Sequence, residues 1–134
     1  MTLGSETDAA RLALAGLLAD YAAAVDARDA GAVGEALGAA SVTFKGTGPM
    51  SPEAARAFYA DALASGSATA VTHLPGTPSV RSGAAPGEIE FSAPYLRCTT
   101  APEGVTAVHA GRYRGTASLG AAPLRLHTFV VSDT

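Results

Sequence analysis

The sequence predicts an α+β fold, a cone-shaped curved antiparallel sheet wrapped by three N-terminal helices. Three observations carry that prediction. Leu14, Leu17, Leu18, Tyr21 and Val25 recur at i, i+3, i+4, i+7 and i+11, so one side of a long helix carries a continuous apolar stripe. From Thr69 the period changes from helical to alternating, most clearly from Val105 to Leu119. The stripe needs a surface to lie on, and only the β-rich second half is large enough. A long helix laid across a curved sheet encloses a hollow with a floor and a mouth, and function is expected in that hollow.

Taken in order, residues 1–7 read as a loose leader, with Thr7 or Asp8 capping the first helix. That helix runs to Asp26, a carboxylate in the last turn, where the helix dipole disfavours negative charge by about 0.3–1 kcal/mol. Asp26 lies at the border of the apolar stripe, and it is either a solvated carboxylate or one rewarded by a partner elsewhere. Asp29, followed by AGAVGEAL, is placed as the N-cap of a short second helix. Ser41 to Lys45 forms a short strand closed by the turn Gly46 to Pro49. Ser51-Pro52-Glu53 combines a capping hydroxyl, proline in the first turn and an acid near the helix N-terminus. It opens a third helix with Ala55, Phe58, Tyr59 and Ala62 on its apolar face and Gly66 at its end.

In the second half, Thr69 to Leu74 is a strand with Val71 and His73 on one face. Pro75-Gly-Thr-Pro78 interrupts it before Ser79 to Arg81 resumes, and the prolines confine it to an edge. Glu88 to Thr100 is a long strand with Ile89, Phe91, Ala93 and Tyr95 on one side, and Pro94 predicts a bulge that re-aims Tyr95 and Arg97. Ala101 to Gly104 turns the chain. The next strand places Val105, Ala107, His109, Gly111, Tyr113, Gly115, Ala117 and Leu119 on its inner face. Gly111 and Gly115 flank Tyr113 and either permit sharp curvature or leave room for a bound molecule. Gly120 to Pro123 is the last turn, and Leu124 to Val131 the last strand, giving four antiparallel strands after the third helix.

The totals restrict the function classes. At 134 residues the chain is read as one domain, residues 1–134, with 48% hydrophobic and 16% charged residues. A net charge of -3 offers no basic footprint for nucleic acid or for an anionic membrane. No apolar run approaches the ~20 residues of a membrane span, and no basic leader precedes the first helix. Cytoplasmic residence is therefore expected. The one cysteine, Cys98, excludes an internal disulfide and reads as a small apolar strand residue. Three histidines spread over three strands lack the close spacing of a zinc site, so no metal is expected.

Element order and local strings together resemble the nuclear transport factor 2-like superfamily, in particular its SnoaL-like branch. The strings are Tyr21-Ala-Ala-Ala-Val-Asp26-Ala-Arg-Asp29, Thr72-His73-Leu74 and Gly111-Arg112-Tyr113. The resemblance implies a cone-shaped barrel, a homodimer formed through the outer face of the sheet, and chemistry without a cofactor. It covers polyketide cyclases, ketosteroid isomerases and scytalone dehydratase, together with members that only bind. Val25-Asp26 and Thr72-His73-Leu74 are similar to the stretches that supply scytalone dehydratase with its pocket aspartate and one catalytic histidine. Its second histidine and its asparagine have no counterpart here. Tyr21 falls where ketosteroid isomerase has its oxyanion-hole tyrosine, while Lys45 stands in place of that enzyme's general base. Arg114 replaces the branch's usual acid after G-R-Y.

The chemistry expected is an Asp26–His73 pair, in which the carboxylate fixes the imidazole tautomer and the imidazole moves a proton. Tyr21 stabilises developing negative charge, with Tyr95 or Tyr113 as further donors. His109 is the alternative base. Phe44, Phe58, Tyr59, Tyr95, His109 and Tyr113 are assigned to the pocket, Phe91 and Phe129 to core or pocket wall, and His127 to the outer face. Arg97 is either a contact for an acidic substrate group or a solvated strand residue. The sequence thus points to a cofactor-independent cyclase, isomerase or dehydratase acting on an apolar, polyketide-like or other ring-bearing small molecule. The alternative is a non-catalytic binding or dimerisation domain of the same fold.

Overall fold

The computed structural model describes residues 3–65, 70–119 and 124–133. Helix α1, Leu3–Asp26, lays Leu14, Leu18 and Tyr21 into the core, with Leu17 and Val25 packed at its margin. It starts a full turn earlier than the expected cap. No proline falls between Leu3 and Thr7, and Glu6 sits in the first turn where the dipole favours an acid. Asp8 therefore caps nothing and pairs instead with Arg11, 2.7 Å away and one turn on.

The helix ends in a Schellman turn. Arg28, at φ 58°, takes the left-handed conformation, its N–H donates to Val25 O, and the Asp29 N–H donates to Ala24 O. The chain thereby turns sharply enough for Asp29 to cap helix α2, Ala30–Leu37, its carboxylate accepting from Ala32 N as the sequence predicts. Strand β1, Ser41–Thr43, leads to helix α3, Pro52–Ala64, whose cap is Ser51 Oγ accepting from Ala54 N. Ala55 and Tyr59 of α3 are buried, Phe58 is half-buried, and Leu63 rather than the exposed Ala62 continues that face. Gly66, the expected helix end, lies outside the described residues, as do Thr69 and the expected turn at Gly120–Pro123.

Five strands follow α3, not four: β2 (Ala70–Pro75), β3 (Ser79–Ser82), β4 (Glu88–Ala101), β5 (Gly104–Ser118) and β6 (Arg125–Asp133). They form an open sheet ordered β1-β6-β5-β4-β2, with β3 also paired to β4. The sheet is mixed, because β1 runs parallel to β6 and not antiparallel as expected. Strands β2 and β3 share one edge of β4, and the break between them falls opposite Pro94. Proline lacks an N–H, and here it lacks nothing. Its amide position faces the break, while its carbonyl accepts from Gly76 N at 2.7 Å. The register accordingly runs through Pro94↔Arg112 without a shift, so the expected bulge is absent and Tyr95 stays inward. Register shifts occur instead at Thr99/Thr100 and at Thr116/Ala117.

Large and small side chains alternate across the β4–β5 register on the inner face. Phe91 lies opposite Gly115, Ala93 opposite Tyr113, and Tyr95 opposite Gly111. A Cβ at Gly111 would come within 2.1 Å of the Tyr95 ring, and one at Gly115 within 3.0 Å of the Phe91 ring. The two glycines therefore make room for the protein's own aromatic rings and not for a bound molecule. That fit lets Tyr95 stack on Tyr113 with centroids 4.4 Å apart and Tyr113 on Phe129 at 5.6 Å. Phe91 and Phe129, with Leu14, Leu18, Ile89, Val33 and Val42, fill the closed end of the cone.

Candidate functional site

Asp26 receives the reward its position calls for. Its Oδ1 lies 2.7 Å from His73 Nδ1, and the His73 backbone N–H donates to Oδ2 at 2.9 Å and Oδ1 at 3.1 Å. One carboxylate thus grips both the backbone and the ring of a single residue 47 positions away. The side chains are 24% and 14% exposed, too sheltered for water to replace these bonds cheaply. An ionised carboxylate only accepts, so Nδ1 carries the hydrogen and Nε2 is the ring nitrogen with a free lone pair.

His73 lines a cavity of about 80 Å³ bounded by Tyr21, Val25, Phe44, Lys45, Phe58, Tyr59, Ala62, Leu63, Tyr95, Arg97, Tyr113 and Val131. Of the residues assigned from sequence, the structure brings Asp26, His73, Tyr21, Phe44, Phe58, Tyr59, Tyr95 and Tyr113 together around it. His109 is not among them. It shares the inward row His73–Arg97–His109 across β2, β4 and β5, but that row lies where the sheet outruns the helices, and His109 is exposed. Two residues that the sequence left open do line the cavity. Arg97 continues the inward alternation Ile89, Phe91, Ala93, Tyr95, a signal present in the sequence. For Lys45 the signal is the family resemblance, which sets it in place of the general base of ketosteroid isomerase.

The lining is more polar than an apolar pocket. Tyr21 and Tyr59 share a buried hydrogen bond at 2.7 Å between their hydroxyls, one donating to the other. Burial pushes Tyr59 up to about 12 and raises Tyr21 and Tyr113 as well, the neighbouring phenols adding to the effect on Tyr21 and Tyr113. These phenols therefore remain protonated near neutral pH and act as donors, not bases. Lys45 binds Asp133 at 2.8 Å and lies over the rings of Phe44 and Tyr95. Partial burial alone would lower its ammonium, but hydrogen bonds to Asp133 and Tyr95 outweigh that and raise it. Among the described residues, Arg97 Nε and Tyr113 Oη are the buried side-chain atoms with no hydrogen-bond partner. Both belong to residues of this cavity.

Size sets a limit. A water needs roughly 10–15 Å³ of such space, and an engineered cavity of about 150 Å³ holds benzene. At about 80 Å³ the hollow holds a few waters or the reactive edge of a ligand, and a whole ring enters only if Lys45, Phe58 or Leu63 at its boundary moves. No cluster of three or more metal-ligating side chains occurs among the described residues. His127, on the outer face as expected, bonds Ser118 Oγ. No helix among the described residues is long and apolar enough to cross a membrane.

No family model matches the sequence, and no curated protein is significantly similar to it. Solved structures do match over nearly the whole chain. Aln2 from a Streptomyces species superposes with a TM-score of 0.74 at 19% identity, covering 91% of this chain and 89% of its own. A Catenulispora acidiphila protein solved in complex with S-DNPA gives 0.77 at 15% identity and 94% of each chain. A provisionally assigned scytalone dehydratase from Novosphingobium aromaticivorans gives 0.74 at 11% identity, over 98% of this chain and 89% of that one. Three helices, a curved open sheet and these neighbours together show that the chain has the nuclear transport factor 2-like fold.

Proposed function

We propose that the protein is a cofactor-independent general acid/base enzyme, a cyclase, isomerase or dehydratase, acting on a ring-bearing, polyketide-like small molecule that presents its reactive edge to the cavity. The observation that carries the reading is the Asp26 grip on the backbone and Nδ1 of His73, a residue that lines the cavity; an Nδ1–H tautomer in that grip leaves Nε2 as the base. Cyclisation, isomerisation and dehydration next to a carbonyl all begin by removing a proton and leaving charge on oxygen. His73 Nε2 takes that proton, and the imidazolium so formed is held by the Asp26 carboxylate. Tyr113 Oη, together with the hydroxyl pair of Tyr21 and Tyr59, donates to the developing oxyanion. Lys45, its ammonium kept charged by Asp133, is not the base. The S-DNPA complex of a neighbour with this fold supports a small-molecule ligand.

A second reading, a non-catalytic binding or dimerisation domain, is favoured by the small cavity and by the outer face of the sheet. Leu74 and Leu96 pair across β2 and β4 there, and with Val108 they are 44–57% exposed. We propose that this face forms a homodimer. Light scattering of the wild type and of a Leu74→Lys, Leu96→Lys variant checks it, with a dimer in the first and a monomer in the second expected.

The test of catalysis is solvent-deuterium exchange into the α-carbons of cyclohexanone, followed by NMR. Wild-type protein is expected to accelerate exchange above buffer, and His73→Asn to slow it by about 10²-fold, the usual contribution of a positioned base. Equal exchange in both proteins ends the His73 assignment. Binding of the ketone without exchange in the wild type leaves the second reading.

A further inference from the structure

Arg97 and Tyr113 share a property that the proposed proton transfer does not use. Arg97 Nε and Tyr113 Oη are buried, belong to residues of one cavity, and have no partner among the described residues. Leaving such a group unpaired costs about 1–3 kcal/mol, more for a charged one. Arg97 Nε can be satisfied only by an acceptor, and the Tyr113 hydroxyl has a hydrogen to give to one. A guanidinium has five donors and no acceptor, and a phenol held in its protonated state donates. The carboxylates nearby are already committed. Asp133 is bound by Lys45 at 2.8 Å, which holds its carboxyl below the usual range, with the fields of Arg97 and His109 contributing. Asp26 accepts three bonds from His73. Arg97 makes no ion pair with either. The inward row His73–Arg97–His109 therefore presents, at the mouth of the cavity, a base, a fixed cation with no counter-ion in contact among the described residues, and an imidazole.

We propose that the mouth selects an anionic ligand, a small carboxylate that also carries a carbonyl, with Arg97 taking the acid group and Tyr113 the carbonyl oxygen. The substrate class deepens the reading above, since it assumes that the cavity is the ligand site, but it does not require His73 to move a proton. Arg97 is a specificity-determining residue in this scheme. A guanidinium rather than an ammonium suits the task, because its planar fork meets both oxygens of a carboxylate. The Lys45 ammonium, committed to Asp133, lines the same cavity and adds positive potential without being the primary contact.

Levulinate and methyl levulinate separate the contributions, since they share a ketone and differ in charge. In NMR titrations at low salt the wild type is expected to bind levulinate about tenfold more tightly than its ester, the worth of one charge-assisted contact. Added salt is expected to narrow that ratio. Arg97→Met is expected to bring it to about one by weakening levulinate alone, and Arg97→Gln gives the same readout should the methionine variant not fold. Tyr113→Phe is expected to weaken both ligands and leave the ratio standing. Equal affinities in the wild type, a ratio that survives both Arg97 variants, or no saturable binding of either ligand overturns the proposal. His73→Asn is expected to keep the ratio whether or not it loses deuterium exchange, so failure of proton transfer and failure of anion selection are read separately.

Discussion

The two ends of the cone are built from the same strands and obey different rules. At the closed end Phe129, Leu14, Leu18 and Ile89 are fully buried, and each inward position is filled by a side chain matched to its opposite number. At the mouth the same rows of β4, β5 and β6 end in Arg97, His109 and Asp133, where shape gives way to charge and hydrogen bonding. Packing at the closed end supplies stability that the mouth then draws on to hold an ammonium and a guanidinium partly out of water. Substitutions at the two ends should therefore differ in kind: large losses of stability with ligand binding intact in what survives, against small losses of stability with binding or exchange abolished.

Phe129→Ala is the largest break expected. The ring is 0% exposed and touches Tyr21 and Tyr113, so its removal should cost about 4 kcal/mol, read as a fall in the urea midpoint. The two glycines sharpen the comparison. A Cβ at Gly115 would lie 2.1 Å from the backbone oxygen of Thr128, which cannot swing aside, whereas at Gly111 the obstacle is the far end of the Tyr95 ring. Gly115→Ala should cost about 3 kcal/mol and Gly111→Ala about 1 kcal/mol, the second by pushing Tyr95 toward the cavity. Equal costs would mean that the mouth is packed as rigidly as the closed end.

Asp26→Ala tests the seam between the two regions. It removes three hydrogen bonds to one carboxylate and should cost about 2 kcal/mol, with faster amide exchange at His73 than at Phe91 or Ala93. A loss shared evenly by all the β4 amides would show that Asp26 stabilises the fold as a whole and does not specifically position His73.

How far the sequence reveals each end follows from the same difference. Stripes and alternation are local, so Leu14, Leu18, Tyr21, Phe91 and Tyr95 are legible as inward residues, and Ser51 and Asp29 as caps. The Asp26–His73 contact spans 47 residues and was legible only because a carboxylate at the wrong helix end needs a reason and a family resemblance supplied a partner. Its other half, the grip on the His73 backbone N–H, has no sequence signal at all. Two local rules misled. Pro94 suggested a bulge because the sequence does not say that its amide faces a gap between β2 and β3. The alternation of β5 put His109 inside because period alone does not say where the covering helices stop.

The smallest expected effect concerns the hydroxyl pair that lies between the two ends. Tyr59→Phe leaves Tyr21 Oη without its 2.7 Å partner while keeping the ring contacts, and should cost about 1 kcal/mol. Its pH dependence carries more information than its size. Burial raises the Tyr59 phenol from 10.0 to about 12, so the folded protein holds that proton more tightly than the unfolded chain does. The stabilisation is fully present below pH 10 and is lost as pH rises through 12, and Tyr21, also raised by burial, adds to it in the same direction. An alkaline titration followed by tyrosinate absorbance should show the buried phenols ionising only as the fold opens, with Tyr59→Phe flattening the dependence of the urea midpoint on pH above 10. Smooth ionisation of all four tyrosines near 10, with tertiary structure intact, would mean that water reaches Tyr21 and Tyr59 through the mouth, and that the cavity is open enough to admit a whole ring without rearrangement.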